Sequence, residues 1–471
     1  MKIKHNEIEI SKEAPFANCK LGREKYAYTL TEIVGNYKDG FVLAINNEWG
    51  TGKTTFVRMW QKQLDLKGYK TLYFNAWEND FDSNPLVAIM AELNSLTKKK
   101  TEKVFKSMVE KGSILAKNIV PLLIKTAAKK YTGSENVAEL AKETAAAATE
   151  IFSKEIENYT QKKDGLKEFK ASLEKFVKES TEDKPLVFIV DELDRCRPNY
   201  AVEVLEQIKH LFSVPGIVFI LSIDKIQLGH AVRGVYGNDN INADEYLRRF
   251  IDVEYSIPEP KTIEFCNYLY DYFEFATFFH SEKRKQIGEF VNDSKSLISV
   301  ASTLFEKRGI TLRQQEKVFA HARIGLVFFR ENNYVFPTLY LLLTFLKNFH
   351  KDIYDKIKAF TYTPHDVMVQ YSVLLPSRME KDKMRIFIHL EAILVYMYNN
   401  SLPKELQEKL IDKNVQTGVL YSAVTSRLDT SEGSNVFLSS LSSIASNWNI
   451  ESVGIEYLLK KIDLTEDIVI K

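Results

Sequence analysis

Apolar positions follow two rhythms along this chain, and the balance between them changes near residue 260. In the first half, short apolar runs stand with almost no polar interruption. They are Phe41–Ile45, Pro185–Val190 ending on Asp191-Glu192, and Ile217–Ile223 ending on Asp224; Lys70–Trp77 is a more mixed fourth. A run that does not alternate predicts a strand covered on both faces, hence a parallel sheet between two helical layers. Between the runs the spacing is helical. Residues 23–38 put Tyr26, Leu30, Ile33 and Val34 on one face, and Phe56–Leu64 is amphipathic. Residues 85–180 carry no strand signal: Val137–Phe152 is Ala-rich, and Lys154–Lys178 places Leu166, Phe169, Leu173 and Phe176 at helical spacing. Tyr200–Phe212 reads as a further helix. After Pro258-Glu259-Pro260 the strand signal stops, and 261–471 reads as aromatic-rich helix. The expected fold class is α/β: a three-layer core with a parallel sheet, a helical insertion and a C-terminal all-helical domain. The expected segments are 1–84 and 181–260 for the core, 85–180 for the insertion and 261–471 for the C-terminal domain.

Chemistry enters at the end of the first run. Asn47-Glu48-Trp49-Gly50-Thr51-Gly52-Lys53-Thr54-Thr55 lies between a predicted strand and a predicted helix. Small residues there, with Gly-Lys-Thr opening the helix, form the phosphate-binding P-loop pattern. Such a loop turns backbone N–H groups inward, and the helix N-terminus adds positive potential. Lys53 is placed to reach the β- and γ-phosphates of ATP, and Thr54 to hold Mg²⁺. Asn47 stands where the pattern asks for its first glycine. Asparagine tolerates left-handed backbone angles, so the turn is expected to survive. Asp191-Glu192 closes a buried strand, which is the Walker B arrangement: Asp191 on Mg²⁺, Glu192 polarising the attacking water. Asp224, ending the next strand, is either a polar sensor of the γ-phosphate or a helix cap.

Composition narrows the partners. The chain has 471 residues, enough for two or three domains. Net charge is +1, so nucleic-acid binding has no support from overall charge. One segment is different. Residues 98–130 hold Lys98, Lys99, Lys100, Lys103, Lys106, Lys111, Lys117, Lys125, Lys129 and Lys130 against Glu102 and Glu110. Three uses are open for it: a solvated helical face, contact with anionic membrane lipid, or tracking of nucleic-acid phosphate. Three scattered cysteines form neither a disulfide framework nor a zinc pattern. Cys196, without a nearby histidine, reads as a packing residue. The start of the chain lacks a signal-peptide core. Val335–Leu346 and Ser113–Ala128 are too interrupted to span a bilayer. A cytoplasmic protein is expected, with the inner membrane face as the alternative that the lysines leave open. No nuclease, protease or deaminase constellation is visible.

With both phosphate-site elements in place, the chain resembles the KAP family of P-loop NTPases. The carrying segments are Leu21-Gly22-Arg23, Asn47–Thr54, Phe74-Asn75-Ala76-Trp77, Asp191–Pro198, Glu203–Lys209 and Tyr246–Phe250. They cover roughly residues 16–260, extending to about 330. Three departures stand out: Asn47 for glycine, Glu192 where the family commonly has a second Asp, and a lysine-rich insertion where relatives often carry transmembrane helices. The resemblance implies an ATP-dependent, self-associating switch or motor, and bacterial relatives are often linked to exclusion of phage or plasmids. It also suggests basic residues for the site. Arg249 matches a basic family position and is the expected arginine finger, with Arg248 beside it and Arg195 and Arg197 past Walker B. Arg313 is the expected lid sensor, and Arg23 is placed at the base-side pocket. For each, an ordinary ion pair is the alternative. An ATPase is therefore weighed against a nucleotide-gated binding module with negligible hydrolysis, and against a membrane-associated scaffold. Partners beyond ATP would be further copies of the chain or a protein effector.

Overall fold

The structure is a computed structural model. It describes residues 8–81, 84–116, 160, 163–209, 214–237, 240–306, 310–376, 379–429, 436–447 and 452–465. These divide into two compact units, one spanning Ile8–Pro258 and one from Glu259 to the C-terminus.

The first unit is built on a five-stranded sheet. Its strands are β1 (Val42–Asn46), β2 (Lys70–Asn75), β3 (Leu186–Asp191), β4 (Ile217–Ile223) and β5 (Val253–Tyr255), in the order β2-β3-β4-β1-β5. Every pairing is parallel. The apolar runs explain why. In β1, β3 and β4 the side chains alternate between two separate cores. Leu43, Ile45, Val187, Ile189, Val218 and Ile220 face one, and Val42, Ala44, Phe188, Val190, Phe219 and Leu221 face the other. Neither face meets water, so neither can be polar, and the strands read as continuous apolar stretches.

Helices α1 (Glu24–Asn36) and α2 (Lys53–Leu66) supply the first face with Leu30, Val34, Phe56 and Trp60. Trp60 satisfies its indole N–H on Thr31 Oγ1 at 2.9 Å, so the largest buried side chain leaves no orphan donor. The opposite face is covered by α3 (Pro85–Asn94), α4 (Glu102–Ala116), α5 (residues 163–180), α6 (Pro198–Lys209), α7 (Lys225–Tyr236) and α8 (Ala243–Leu247). The start of α3 is set locally. Asn84 accepts the Leu86 N–H at 3.1 Å, and Pro85 occupies the first helical position, where its missing N–H costs nothing. The Ala-rich run 137–152 and the lysines from Lys117 to Lys130 lie outside the described residues.

The second unit is helical apart from a short antiparallel pair, β6 (Ile411–Lys413) and β7 (Leu420–Ser422). The sequence reading had no strand there. These strands are three residues each and partly exposed, and their register rests on the connecting turn, so no apolar run announces them. The Val335–Leu346 run becomes helix Pro337–Phe349, with every residue from Pro337 to Leu346 buried. A helix that is apolar all round belongs at the centre of a helical core. Among the described residues no helix is long and apolar enough to cross a membrane. Arg284 is fully buried in this unit. It pairs with Asp293, donates to the Glu331 and Asn333 carbonyls and lies 4.1 Å from the Phe290 ring centroid, so its charge is compensated.

Candidate nucleotide site

Topology gathers the candidate residues at one edge of the sheet. β4 lies between β1 and β3, so the carboxyl ends of three adjacent strands carry the P-loop, Asp224 and Asp191-Glu192 in turn. Ligands of open parallel sheets bind beyond these strand ends.

The loop from Asn47 to Gly52 closes on itself. Gly50 and Gly52 take φ of 83° and 81°, where a side chain is strained. At Gly52 a Cβ would also come within 3.0 Å of the Arg23 guanidinium. Thr51 Oγ1 donates to the Glu48 carbonyl at 2.8 Å. Lys53 turns its ammonium back into the loop, donating to the Asn47 carbonyl and, at 3.1 Å, to the Glu48 carbonyl. Burial lowers the Lys53 pKa, while the carboxylates of Asp194, Asp224 and Asp191 act to raise it. Thr54 and Thr55 stand half-buried on the first turn of α2, whose N-cap is Gly52 and brings no side-chain hydrogen bond. The leading N–H groups of α2 therefore face the loop, as an anion site requires.

One expectation is corrected here. Asn47 does not take left-handed angles, which fall to Gly50 and Gly52 instead. Its side chain bridges to the Ile257 backbone, donating to the carbonyl and accepting the N–H, each at 2.9 Å. Arg23, expected at a base-side pocket, lies against the P-loop. Its guanidinium is buried against the loop, donating to the Thr51 carbonyl at 2.8 Å and the Gly52 carbonyl at 3.3 Å. It braces the P-loop, because carbonyls that point away from the phosphate cradle need donors of their own.

The acidic side is equally ordered. Asp191 is 1% exposed; it accepts the Tyr73 hydroxyl at 2.8 Å and the Glu192 N–H at 2.9 Å. Glu192 sits at φ 60°, an uncommon conformation for a non-glycine residue and one that marks functional turns. Its carboxylate pairs with Arg195 at 2.7 Å and accepts from the Asn75 amide at 3.3 Å. Burial pushes the Glu192 carboxyl above the usual glutamate range; Arg195 opposes that shift and the charge of Asp191 adds to it. Asp194 accepts the Trp49 indole N–H, and burial raises its pKa too. Asp224 is the N-cap of α7, accepting the N–H groups of Ile226 and Gln227 at 3.1 and 3.2 Å, while its charge still reaches Lys53.

The set of atoms beside Lys53 and Thr54 is oxygen-rich and acidic. Thr54 and Asp191 offer hard oxygen donors of the kind magnesium takes, and Asp191 is held by hydrogen bonds that fix its orientation. The residues present fit the ion.

The family model of the KAP family P-loop domain matches residues 23–358, most of the chain. The protein belongs to the KAP family of P-loop NTPases. Its KAP domain is thus a nucleotide-binding P-loop fold. No curated protein sequence matches the chain. Among solved structures it is similar to the Aeropyrum pernix ORC2 protein in its ADPNP and ADP complexes. That pair is 14% identical, with a TM-score of 0.33, over 90% of this chain and 94% of the other. A Drosophila ORC chain from a DNA-bound complex is 12% identical, with a TM-score of 0.31, over 96% of each chain. A DNA replication initiation factor is 13% identical, with a TM-score of 0.28, over 83% and 98%. Likenesses this distant do not bear on the site.

The KAP motifs that served only as signatures prove to be structural partners. Asn75 binds Glu192, Asp194 binds Trp49, and the Trp77 ring lies 5.8 Å from the Arg195 guanidinium. Arg197 clamps Asp80, with its Nε on the carboxylate at 2.7 Å and its backbone N–H on the other carboxylate oxygen at 2.7 Å. The loop after β2 is thereby tied to the loop after β3. The one signal that could have found these pairs was the recurrence of Asn-Ala-Trp and Asp-Arg-Cys-Arg in one family pattern. Arg249 is exposed just past α8 and is not brought onto the Lys53–Glu192 cluster by any described hydrogen bond or ion pair. Arg313 is exposed in the first turn of helix Leu312–Gly325, in the second unit, next to a Thr311–Gln314 capping box. In the insertion, Lys98, Lys99, Lys100 and Lys103 are exposed, whereas Lys106 pairs with Glu102 and Lys111 with Glu168.

Cys196 is buried, and burial pushes its thiol up to about 12. At pH 8 its thiolate fraction is then on the order of 10⁻⁴. Iodoacetamide on the native protein is expected to modify the half-buried Cys19 while sparing Cys196, which becomes reactive only after unfolding. Peptide mass spectrometry reads this directly, and rapid native alkylation of Cys196 would contradict a packing role.

Proposed function

We propose that this KAP protein is an MgATP-dependent ATPase. The observation that carries the reading is the gathering of Lys53, Asp224, Asp191 and Glu192 at the carboxyl ends of three adjacent strands. Lys53 and the leading amides of α2 bind the β- and γ-phosphates, and Trp49, Gly50, Thr51 and Gly52 shape the cradle. Thr54 and Asp191 hold Mg²⁺, which supplies charge neutralisation across the phosphates. Glu192 orients and deprotonates the attacking water, with Asn75 and Arg195 fixing its carboxylate. Asp224 reports the γ-phosphate through the α7 terminus that it caps. Arg249 and Arg313 remain candidates for the finger and the lid sensor, each to be supplied by conformational change or a second copy of the chain. Hydrolysis then drives conformational change or self-assembly. A part in defence against phage or plasmids rests on the family resemblance, and a lipid or nucleic-acid contact on the exposed lysines from Lys98 to Lys103.

A second reading, a nucleotide-gated scaffold with little turnover, is favoured by one observation: the Glu192 carboxylate is engaged by Arg195 at 2.7 Å. Phosphate release from radiolabelled ATP, run beside mass photometry with and without MgATP, separates the two. Steady Mg²⁺-dependent release supports the ATPase. Assembly on ATP without release supports the scaffold.

A further inference from the structure

β5 is a short edge strand, paired with β1 only through Leu43 with Val253, Ala44 with Glu254 and Ile45 with Tyr255. Continued in register, the ladder sets Asn46 beside Ser256 and Asn47 beside Ile257. Along β1 the odd residues turn their main chains to β4 and the even ones to β5, so the main chain of Asn47 does not reach Ile257. Its N–H goes to the Ile223 carbonyl at 3.2 Å, on the β4 side, and its carbonyl accepts from Lys53. Its side chain makes the pairing instead. The amide donates to the Ile257 carbonyl and accepts the Ile257 N–H, each at 2.9 Å. A carboxamide carries an acceptor and a donor at nearly peptide spacing, so it can meet both backbone groups of one residue and add a link beyond the ladder. Asn46 fastens the same edge: its Nδ2 donates to Glu254 at 2.7 Å and its Oδ1 accepts the Lys225 N–H at 2.9 Å. Ile257 is followed by Pro258, and the second unit begins at Glu259. Glycine, the residue the motif expects at 47, has no side chain to build this bridge.

We infer that Asn47 is a positioning residue that couples the P-loop lysine to the segment leading out of the nucleotide-binding unit. The inference rests on the reading that Lys53 engages phosphate. One residue holds Lys53 through its carbonyl and Ile257 through its side chain. When the ammonium turns to a phosphate it gives up the Asn47 carbonyl. The Asn47–Glu48 peptide is then free to rotate, and the amide bridge is loosened from the same Cα. The residues between Tyr255 and Pro260 feel nucleotide through this bridge.

Hydrogen exchange of the Ile257 amide in the full chain tests this, because Pro258 and Pro260 contribute no exchanging amides to that segment. Exchange is compared without nucleotide and at saturating MgATP, with saturation verified by titration for each variant. In the unsubstituted chain MgATP is expected to speed Ile257 exchange at least about tenfold. In Asn47→Gly the amide is expected to exchange fast in both states, with the nucleotide response lost. Asn47→Asp keeps the acceptor but not the donor, and is expected to keep part of the response; it also serves should the glycine variant fold poorly. An unchanged Ile257 amide in the unsubstituted chain, or a full response in Asn47→Gly, overturns the coupling. Loss of MgATP binding in both variants makes Asn47 a binding-loop residue alone and also overturns it. Failure of the unsubstituted chain to bind MgATP in the titration removes the nucleotide reading itself, and the coupling with it.

Discussion

Exchange of Lys53 for alanine is expected to weaken MgATP binding by about a hundredfold, the upper range for a hydrogen-bonded charge. The ammonium sits inside the P-loop on the carbonyls of Asn47 and Glu48, with three carboxylates as electrostatic neighbours. No other described cation is held within the loop; Arg23 is committed to the Thr51 and Gly52 carbonyls. The fold is expected to survive. Helix α2 is anchored by Phe56, Val57, Met59 and Trp60, none of which contributes to the cradle. The direction of the pKa shift agrees. A lysine whose folded-state pKa lies below its ordinary value binds its proton less tightly in the folded chain, so at neutral pH the folded state carries that cost. The cost fades only as pH rises through the lowered value. Removing the side chain should therefore leave thermal stability without nucleotide close to unchanged or slightly higher. Scanning fluorimetry checks both parts: MgATP raises the melting temperature of the unsubstituted protein and leaves that of Lys53→Ala where it was. A nucleotide-induced shift of ordinary size in Lys53→Ala would take the lysine out of the site.

Glu192→Gln separates binding from chemistry. Glutamine keeps the size of the side chain and an acceptor for the Asn75 amide, but cannot take a proton. The expected result is MgATP binding with phosphate release slowed by about 10²–10⁴, the worth of a general base. Single-turnover phosphate release measures it, and ordinary turnover would remove Glu192 from the role. The acid limb of the pH–rate profile gives a second check. A base must be ionised, and burial raises the Glu192 pKa, so activity should fall away at a pH above the ordinary glutamate range. Arg195 opposes the rise, so Arg195→Ala is expected to move the acid limb to still higher pH. A limb that does not move would mean that another group titrates.

Much of this site was legible because local physics writes it into local sequence. Positive φ at two loop positions calls for glycine, so Gly50 and Gly52 appear beside Lys53. Strands buried on both faces cannot alternate, so β1, β3 and β4 show as apolar runs, and the polar residues that end two of them, Asp191 and Asp224, mark the edge that meets ligand. Where the reading went astray, the deciding partner was remote. Asn47 was judged by its own backbone preferences, yet its amide binds a residue 210 positions away. Arg23 donates to carbonyls 28 and 29 positions on, a contact that its own neighbourhood in sequence does not announce. Trp49 and Asp194, 145 apart, were quoted as motif residues without a hint that they touch.

The sequence by itself determined that a P-loop core is present and where four of its five strands lie, because burial and backbone angle constrain residues one at a time; β5, three residues long and largely exposed, shows no apolar run. The tertiary structure alone decided the strand order that sets β4 between β1 and β3. It also set the Arg195 and Asn75 hold on Glu192, and the bridge from Asn47 to Ile257. Those depend on which buried polar group finds which partner, a choice made only when distant segments are packed and every desolvated donor must be satisfied.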